Sequence, residues 1–203
     1  MLESWSPTLF SLAGGLFVVF AAFWAAFAFT DLSSEIVQNA VGPAGWTAAF
    51  VGLLGLYPAL ADQNPRIASA GAVFAVFGLV GGTFATGGNL LLLIGVLSEL
   101  PAWLAPLQLP LLIGIVFGFL TVGLASLRTS VMPRRVGVLL LIPAAVFVVN
   151  IVRVGTLGST TPIWAPFVLG SGQALALLGI GYSLRAVAFP ADSAASSVDS
   201  TVG

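Results

Sequence analysis

Asn150 and Arg153 stand three residues apart in an apolar stretch, so a helix there places both on one face. Arginine presents a planar fork of donors that matches a carboxylate or a phosphate headgroup. An ionisable side chain among apolar residues is costly, and marks either a binding site or an ion pair. Two carboxylates, Asp31 and Glu35, follow the first apolar run, and Asn89 follows the core of the third with Thr83 and Thr86. Gln173 lies well inside the last run beside Ser171. Asp31, Glu35, Asn89, Asn150, Arg153 and Gln173 form the candidate ligand or ion-pair cluster. Two readings stand side by side. Arg153 binds an anionic headgroup or carboxylate substrate, or it reaches the outer interface and closes the bundle by pairing with Glu35 or Asp31. For Asn150 and Gln173 the plain account is hydrogen bonding between helices, worth ~0.6–2 kcal/mol each.

The missing residue types exclude more than the present ones suggest. No His and no Cys removes the usual ligands of haem, zinc, copper and iron–sulfur clusters, together with thiol nucleophiles and disulfides. No Lys removes a Schiff base. Ser and Thr occur without a base to activate them, so the sequence reads as a non-enzyme with no catalytic, cofactor-binding or metal residues and no cofactor. No Asp or Glu sits deep in an apolar run, which argues against proton-driven transport and leaves sodium coupling open.

The run Asn150-Ile151-Val152-Arg153-Val154 resembles the Asn-x-x-Arg piece of exosortase-type membrane transpeptidases. That chemistry also needs a catalytic Cys, which this chain lacks, so the resemblance implies no activity here.

Composition sets the class. The chain has 203 residues, 59% hydrophobic and 6% charged, with mean hydropathy +1.12. A soluble core this apolar has too little polar surface to cover it, whereas lipid lets apolar side chains face outward. The expectation is an all-α integral membrane protein whose partner is the lipid bilayer. A formal net charge of −1 argues against nucleic acid. Arginine without lysine, with a pI near 5.0, points to a prokaryote. The first apolar segment has no positive region before it and reads as a retained helix rather than a signal peptide.

A span needs about 20 apolar residues. Six fit, at approximately 8–30, 43–61, 67–88, 109–127, 136–154 and 164–188, in one bundle domain over residues 1–189. Gly42-Pro43 is expected to open the second span. The glycine-rich stretch 81–89 is expected to break or bend the third, leaving a short interfacial or re-entrant piece over 90–100. Residues 190–203, rich in Ser, Ala and Asp, read as a disordered cytoplasmic tail.

Arg66, Arg128, Arg134, Arg135 and Arg185 then share one side, which the positive-inside rule makes cytoplasmic, with both termini. They read as topology-determining. Trp5, Trp46, Trp103 and Trp164 fall near span ends, as interfacial anchors would.

Three even-numbered spans end alike, at Gly55-Leu56, Gly123-Leu124 and Gly181-Tyr182, and two are followed by Pro65-Arg66 and Pro133-Arg134. These similarities point to three two-helix hairpins made by duplication. Paired small residues, Gly78 with Gly82 and Gly114 with Gly118, suit close helix packing within the bundle or between copies in a homo-oligomer. The leading functional expectation is a non-catalytic structural, accessory or lipid-interacting protein of a prokaryotic plasma membrane, alone or with a membrane-complex partner. The alternative is a small-solute or lipid permease with an outward-facing polar site around Asn150, Arg153 and Gln173.

Overall fold

The apolar runs fold as helices, as they must wherever water cannot satisfy backbone groups. The computed structural model describes residues 3–30, 35–157 and 164–188, apart from the side chains of residues 28, 35–38, 156, 157 and 188. The helices are α1 (Ser6–Phe29), α2 (Glu35–Leu54), α3 (Tyr57–Ala61), α4 (Pro65–Leu93), α5 (Gln108–Ile113), α6 (Phe119–Arg128), α7 (Arg134–Leu157) and α8 (Ala165–Ala188). A 3-10 turn (Ala102–Leu107) leads into α5, and a π-helical turn (Gly114–Gly118) joins α5 to α6, so 102–128 is one continuous rod. The described residues contain no strand.

Five segments are long and apolar enough to cross a membrane: Ser6–Phe27, Pro65–Leu93, Ala102–Arg128, Arg134–Gly155 and Ala165–Val187. Exposed apolar side chains lie on every one of them, among them Val18, Phe77, Phe117, Val149 and Leu175. Water-facing surfaces rarely carry apolar side chains on all sides. The chain is accordingly an all-helical protein with the features of a membrane protein.

The third helix corrects one expectation. Residues 81–89 do not break it, and α4 runs unbroken to Leu93. Gly81, Gly82 and Gly88 are buried against neighbouring helices, and two polar side chains bond back within the helix. Thr86 Oγ1 donates to the Gly82 carbonyl and Asn89 Nδ2 to the Ala85 carbonyl, each at 2.7 Å. The stop comes later, at Gly95, whose φ of 74° lies in the left-handed region. The Gly95 N–H donates to Leu92 O and the Val96 N–H to Leu91 O, a Schellman closure. Residues 94–100 form an exposed turn, and the next rod begins at Ala102 instead of 109.

The second helix corrects another. Pro43 lies inside α2, which starts at Glu35 and stops at Leu54; α3 restarts after a turn at Gly55 and Leu56. Trp46 therefore sits well inside the bundle, only 6% exposed, and is no interfacial anchor. The expected tail at 190–203 lies outside the described residues.

The helices close into a ring in the order α1, α2, α4, rod 102–128, α7, α8, with α8 returning to α1. Glycine contacts give the register: Gly45 meets Phe17 and Gly52 meets Phe10, Gly78 meets Phe50, and Gly71 meets Val122. Gly137 meets Leu127, Gly179 meets Leu139, and Gly14 meets Leu178. Every neighbouring pair is antiparallel. Arg66, Arg128, Arg134, Arg135 and Arg185 consequently gather at one end, all exposed. There Ser6 Oγ donates to Gly52 O at 2.8 Å and Ser130 N–H to Gln63 Oε1 at 3.2 Å.

The two halves of the ring pack differently. The arginine half is filled by Phe10, Phe50, Leu53, Leu56, Phe119, Val136, Leu140, Leu177, Ile180 and Leu184, all buried. The opposite half, bounded by 17–24, 39–46, 85–89, 108–115, 147–153 and 166–173, holds two cavities. The molecule is a cup with a packed base.

The closest crossing is Gly114 against Gly78, where an added Cβ would meet the Gly78 backbone and the Phe50 ring. Gly114→Val is expected to cost on the order of 1–3 kcal/mol through overpacking. Gly87→Ala, with no neighbour within 4 Å, should be neutral or gain up to about 1 kcal/mol from helix propensity. Thermal unfolding of both variants in detergent checks the contrast, and equal melting points would refute the crossing.

Candidate functional site

The cup is built from aromatic residues whose spacing aims them inward. On α1, Phe10, Phe17, Phe20 and Trp24 recur at helical intervals on one stripe. Phe17 meets Trp46 edge-to-face with ring centroids 4.9 Å apart, and Phe20 meets Trp24 at 6.3 Å. Trp46 also touches Phe119 at 5.7 Å, Phe147 at 6.2 Å and Phe50 at 6.3 Å. All but the stacked Trp46–Phe50 pair are edge-to-face, and aromatic pairs of either kind add about 0.5–1.5 kcal/mol each beyond burial. Trp46 is thus the hub joining base to cup.

Phe17, Phe20, Trp46 and Phe147 line both cavities and divide them. The first chamber, about 290 Å³, is closed by α7 and α8 through Asn150, Arg153, Pro166, Leu169, Gly170 and Gln173. The second, about 380 Å³, is lined on the α2, α4 and α5 side by Asn39, Asn89 and Gln108. No charged residue lines the second chamber among the described residues.

In the first chamber the polar atoms are held in defined states. Arg153 Nη2 donates to Asn150 Oδ1 at 2.6 Å, which turns the guanidinium back along α7 toward Asn150. Gln173 is 4% exposed, and its Nε2 donates to the Pro143 carbonyl at 3.2 Å. Because Pro143 O only accepts, the amide orientation is fixed and Oε1 is the remaining atom. That oxygen is buried without a hydrogen-bond partner, as is the indole Nε1 of Trp24. A buried orphan of this kind costs about 1–3 kcal/mol.

The expected cluster is therefore divided. Asn150, Arg153 and Gln173 come together in the first chamber, and Asn89, 7% exposed, belongs to the second. Asp31 and the Glu35 side chain lie outside the described residues, so their pairing with Arg153 is not placed. Thr83 is exposed and lines neither chamber, and Asn89 bonds its own helix rather than a neighbour. Sequence reasoning missed the aromatic walls, Asn39 and Gln108. The stripe Phe17, Phe20, Trp24 and the Phe147-to-Asn150 spacing carried the signal for the first chamber. Among the described residues, no group of three or more acidic, His or Cys side chains lies close enough to hold a metal ion.

No protein-family model matches the chain, and no curated protein or solved structure matches it significantly. The site's own chemistry is what bears on function.

Gln173→Leu removes one hydrogen bond worth about 0.5–1.5 kcal/mol and one orphaned oxygen of similar or greater cost. Unfolding free energy in the absence of ligand should stay within about 1 kcal/mol of the parent or rise. A loss above about 2 kcal/mol in a denaturant titration would show that Gln173 serves packing. Trp46→Ala, by contrast, should cost about 3–5 kcal/mol by opening the hub.

Proposed function

We propose that this is a non-catalytic, multi-pass membrane protein that binds a small amphipathic molecule inside the cup. The observation that carries the reading is Gln173 Oε1, a buried acceptor without a partner at the wall of a largely aromatic chamber. Arg153 and Asn150 supply polar contacts at the mouth, and Phe17, Phe20, Trp46 and Phe147 take the apolar body. Ligand pockets are commonly built this way, apolar with a few placed polar groups.

In this reading α2 is the sixth crossing, since it is 20 residues long and stands in the ring between α1 and α4. Twenty residues span about 30 Å, the thickness of the hydrocarbon layer. The arginine end faces the cytoplasm of a prokaryotic cell by the positive-inside rule, so both termini are cytoplasmic and the mouth opens outward. The antiparallel ring is compatible with three repeated hairpins, α1–α2, α4 with rod 102–128, and α7–α8.

A second reading, permeation of the same class of molecule, is favoured by the π-helical turn Gly114–Gly118. It lies beside the floor of the second chamber through Ile115, and π-turns commonly occur where helices rearrange at functional sites. The packed base would have to open for passage.

Binding is tested with a bromine-labelled fatty acid titrated into the protein in nanodiscs. Part of the tryptophan emission should quench saturably, and Trp24→Phe with Trp46→Phe should remove that part. Arg153→Gln should weaken binding about tenfold, the loss of one charge-assisted contact. Unsaturable quenching, identical in all variants, would sink the proposal. So would an Arg153→Gln protein that binds normally and merely melts earlier, because the arginine would then be a structural group.

A further inference from the structure

We infer that the second chamber takes an uncharged amphiphile whose head carries more than one hydroxyl, an inference that rests on the cup being a binding site. Among the described residues no charged side chain lines this chamber, and apart from the Trp46 indole its polar side chains are three amides, Asn39, Asn89 and Gln108. An amide both donates and accepts. A hydroxyl does the same, so it can meet either end of each amide. A carboxylate, phosphate or ammonium would leave water for a chamber that offers it no opposite charge, which is costly. The first chamber, with Arg153, offers a carboxylate that charge. The two chambers thus sort heads by charge.

The amides have bonding capacity to spare. Asn89 is 7% exposed, and its Nδ2 donates to the Ala85 carbonyl of its own helix at 2.7 Å. Its Oδ1 and second N–H have no partner among the described residues, and neither do the exposed side chains of Asn39 and Gln108. The helix seams set their depths. Gly82 meets Thr47 and the Pro43 carbonyl, so Asn39, one turn beyond Pro43, stands level with the stretch 86–89 of α4. Gly81 meets Leu111 and Gly88 meets Leu104, so Gln108 stands level with Phe84 and Ala85. At ~1.5 Å per residue this is about 6–8 Å deeper than Asn89. No single ligand atom has to reach all three. A head with hydroxyls along its length answers amides at two depths, and a head with one hydroxyl does not. Phe17, Phe20, Trp46 and Phe147 receive the apolar body, in a chamber whose 380 Å³ suits a small-molecule site.

The probes share one dibrominated stearoyl chain and differ in the head: the 1-monoglyceride, the methyl ester and the free fatty acid, each titrated against tryptophan emission in nanodiscs. The glyceride should bind at least about tenfold tighter than the ester, whose head has no hydroxyl and leaves the amides unpaired. Asn89 bonds only its own helix, so Asn89→Leu breaks no contact between helices, and its melting curve verifies folding. That variant should bring glyceride and ester closer in affinity, a comparison that cancels their different partitioning into lipid. Gln108→Leu, at an exposed position, provides the same test should Asn89→Leu fail to fold. Arg153→Gln should weaken the fatty acid more than the glyceride. Free glycerol added in competition separates the two sources of such a head: relief of quenching assigns a water-soluble polyol, and unchanged quenching assigns the whole lipid. Equal binding of glyceride and ester to the parent protein overturns the inference. So does a glyceride that Asn89→Leu and Gln108→Leu leave unaffected, or one that Arg153→Gln weakens as much as the fatty acid. Binding of the fatty acid alone overturns this inference and leaves the cup a binding site, whereas failure of every probe removes both readings.

Discussion

Helices in lipid gain nothing from merely hiding apolar surface, because the surrounding chains are as apolar as their own side chains. This bundle must therefore be held by close contact, and glycine makes the contact. Gly114 on Gly78, Gly81 on the backbone of Leu111, and Gly14 and Gly181 on α8 and α1 bring neighbouring helices together along most seams. Once those seams are tight, the axes are fixed. What remains inside the ring is decided by side-chain volume alone.

Volume runs out toward one end. Near the arginines, Leu53, Leu56, Leu140, Ile180 and Leu184 fill the axis. Halfway along, Trp46 fills it by itself, touching Phe17, Phe50, Phe119 and Phe147. Beyond it small residues, Gly42, Pro43, Ala85 and Gly170, alternate with the rings of Phe17, Phe20, Trp24 and Phe147, and the chambers lie between them. The amides Asn39, Asn89, Gln108, Asn150 and Gln173 line this hollow half, whereas the buried polar side chains of the packed half are the serines Ser6, Ser126 and Ser183. Polar atoms and empty space coincide, which is the pattern of a site and not of a loosely packed core.

Much of this was legible in the residues. Arginine placement foretold which ends lie together, and the Asn150–Arg153 spacing foretold their shared face. The helix boundaries differ for one reason: glycine and proline do not act as punctuation here. In water the stretch 81–89 would be a poor helix, but where no solvent can take its backbone groups the helix continues, with Thr86 and Asn89 bonding to their own carbonyls. The same reasoning carries α2 through Pro43 and turns Trp46 from an expected surface anchor into the hub. The aromatic cage was missed because Phe is common throughout the chain, and composition hides a stripe that only the ring closure makes inward. Asn89 was grouped with Asn150 because both are amides near one end; the partition of Phe17, Phe20 and Phe147 separates them.

Gln173 sharpens the difference between packing and binding. A glutamine used as interhelical glue would spend both ends of its amide on neighbours. Here only the nitrogen is spent, on Pro143 O, and the carbonyl faces no protein donor. The partner is the Pro143 carbonyl inside α7, whose second lone pair can take a side-chain donor from α8. That bond fixes the amide, and its orientation leaves a buried acceptor unpaired. A leucine at 173 would fill the same place without a buried cost. An apolar chain that keeps an amide there accepts a local penalty that helix packing alone does not require.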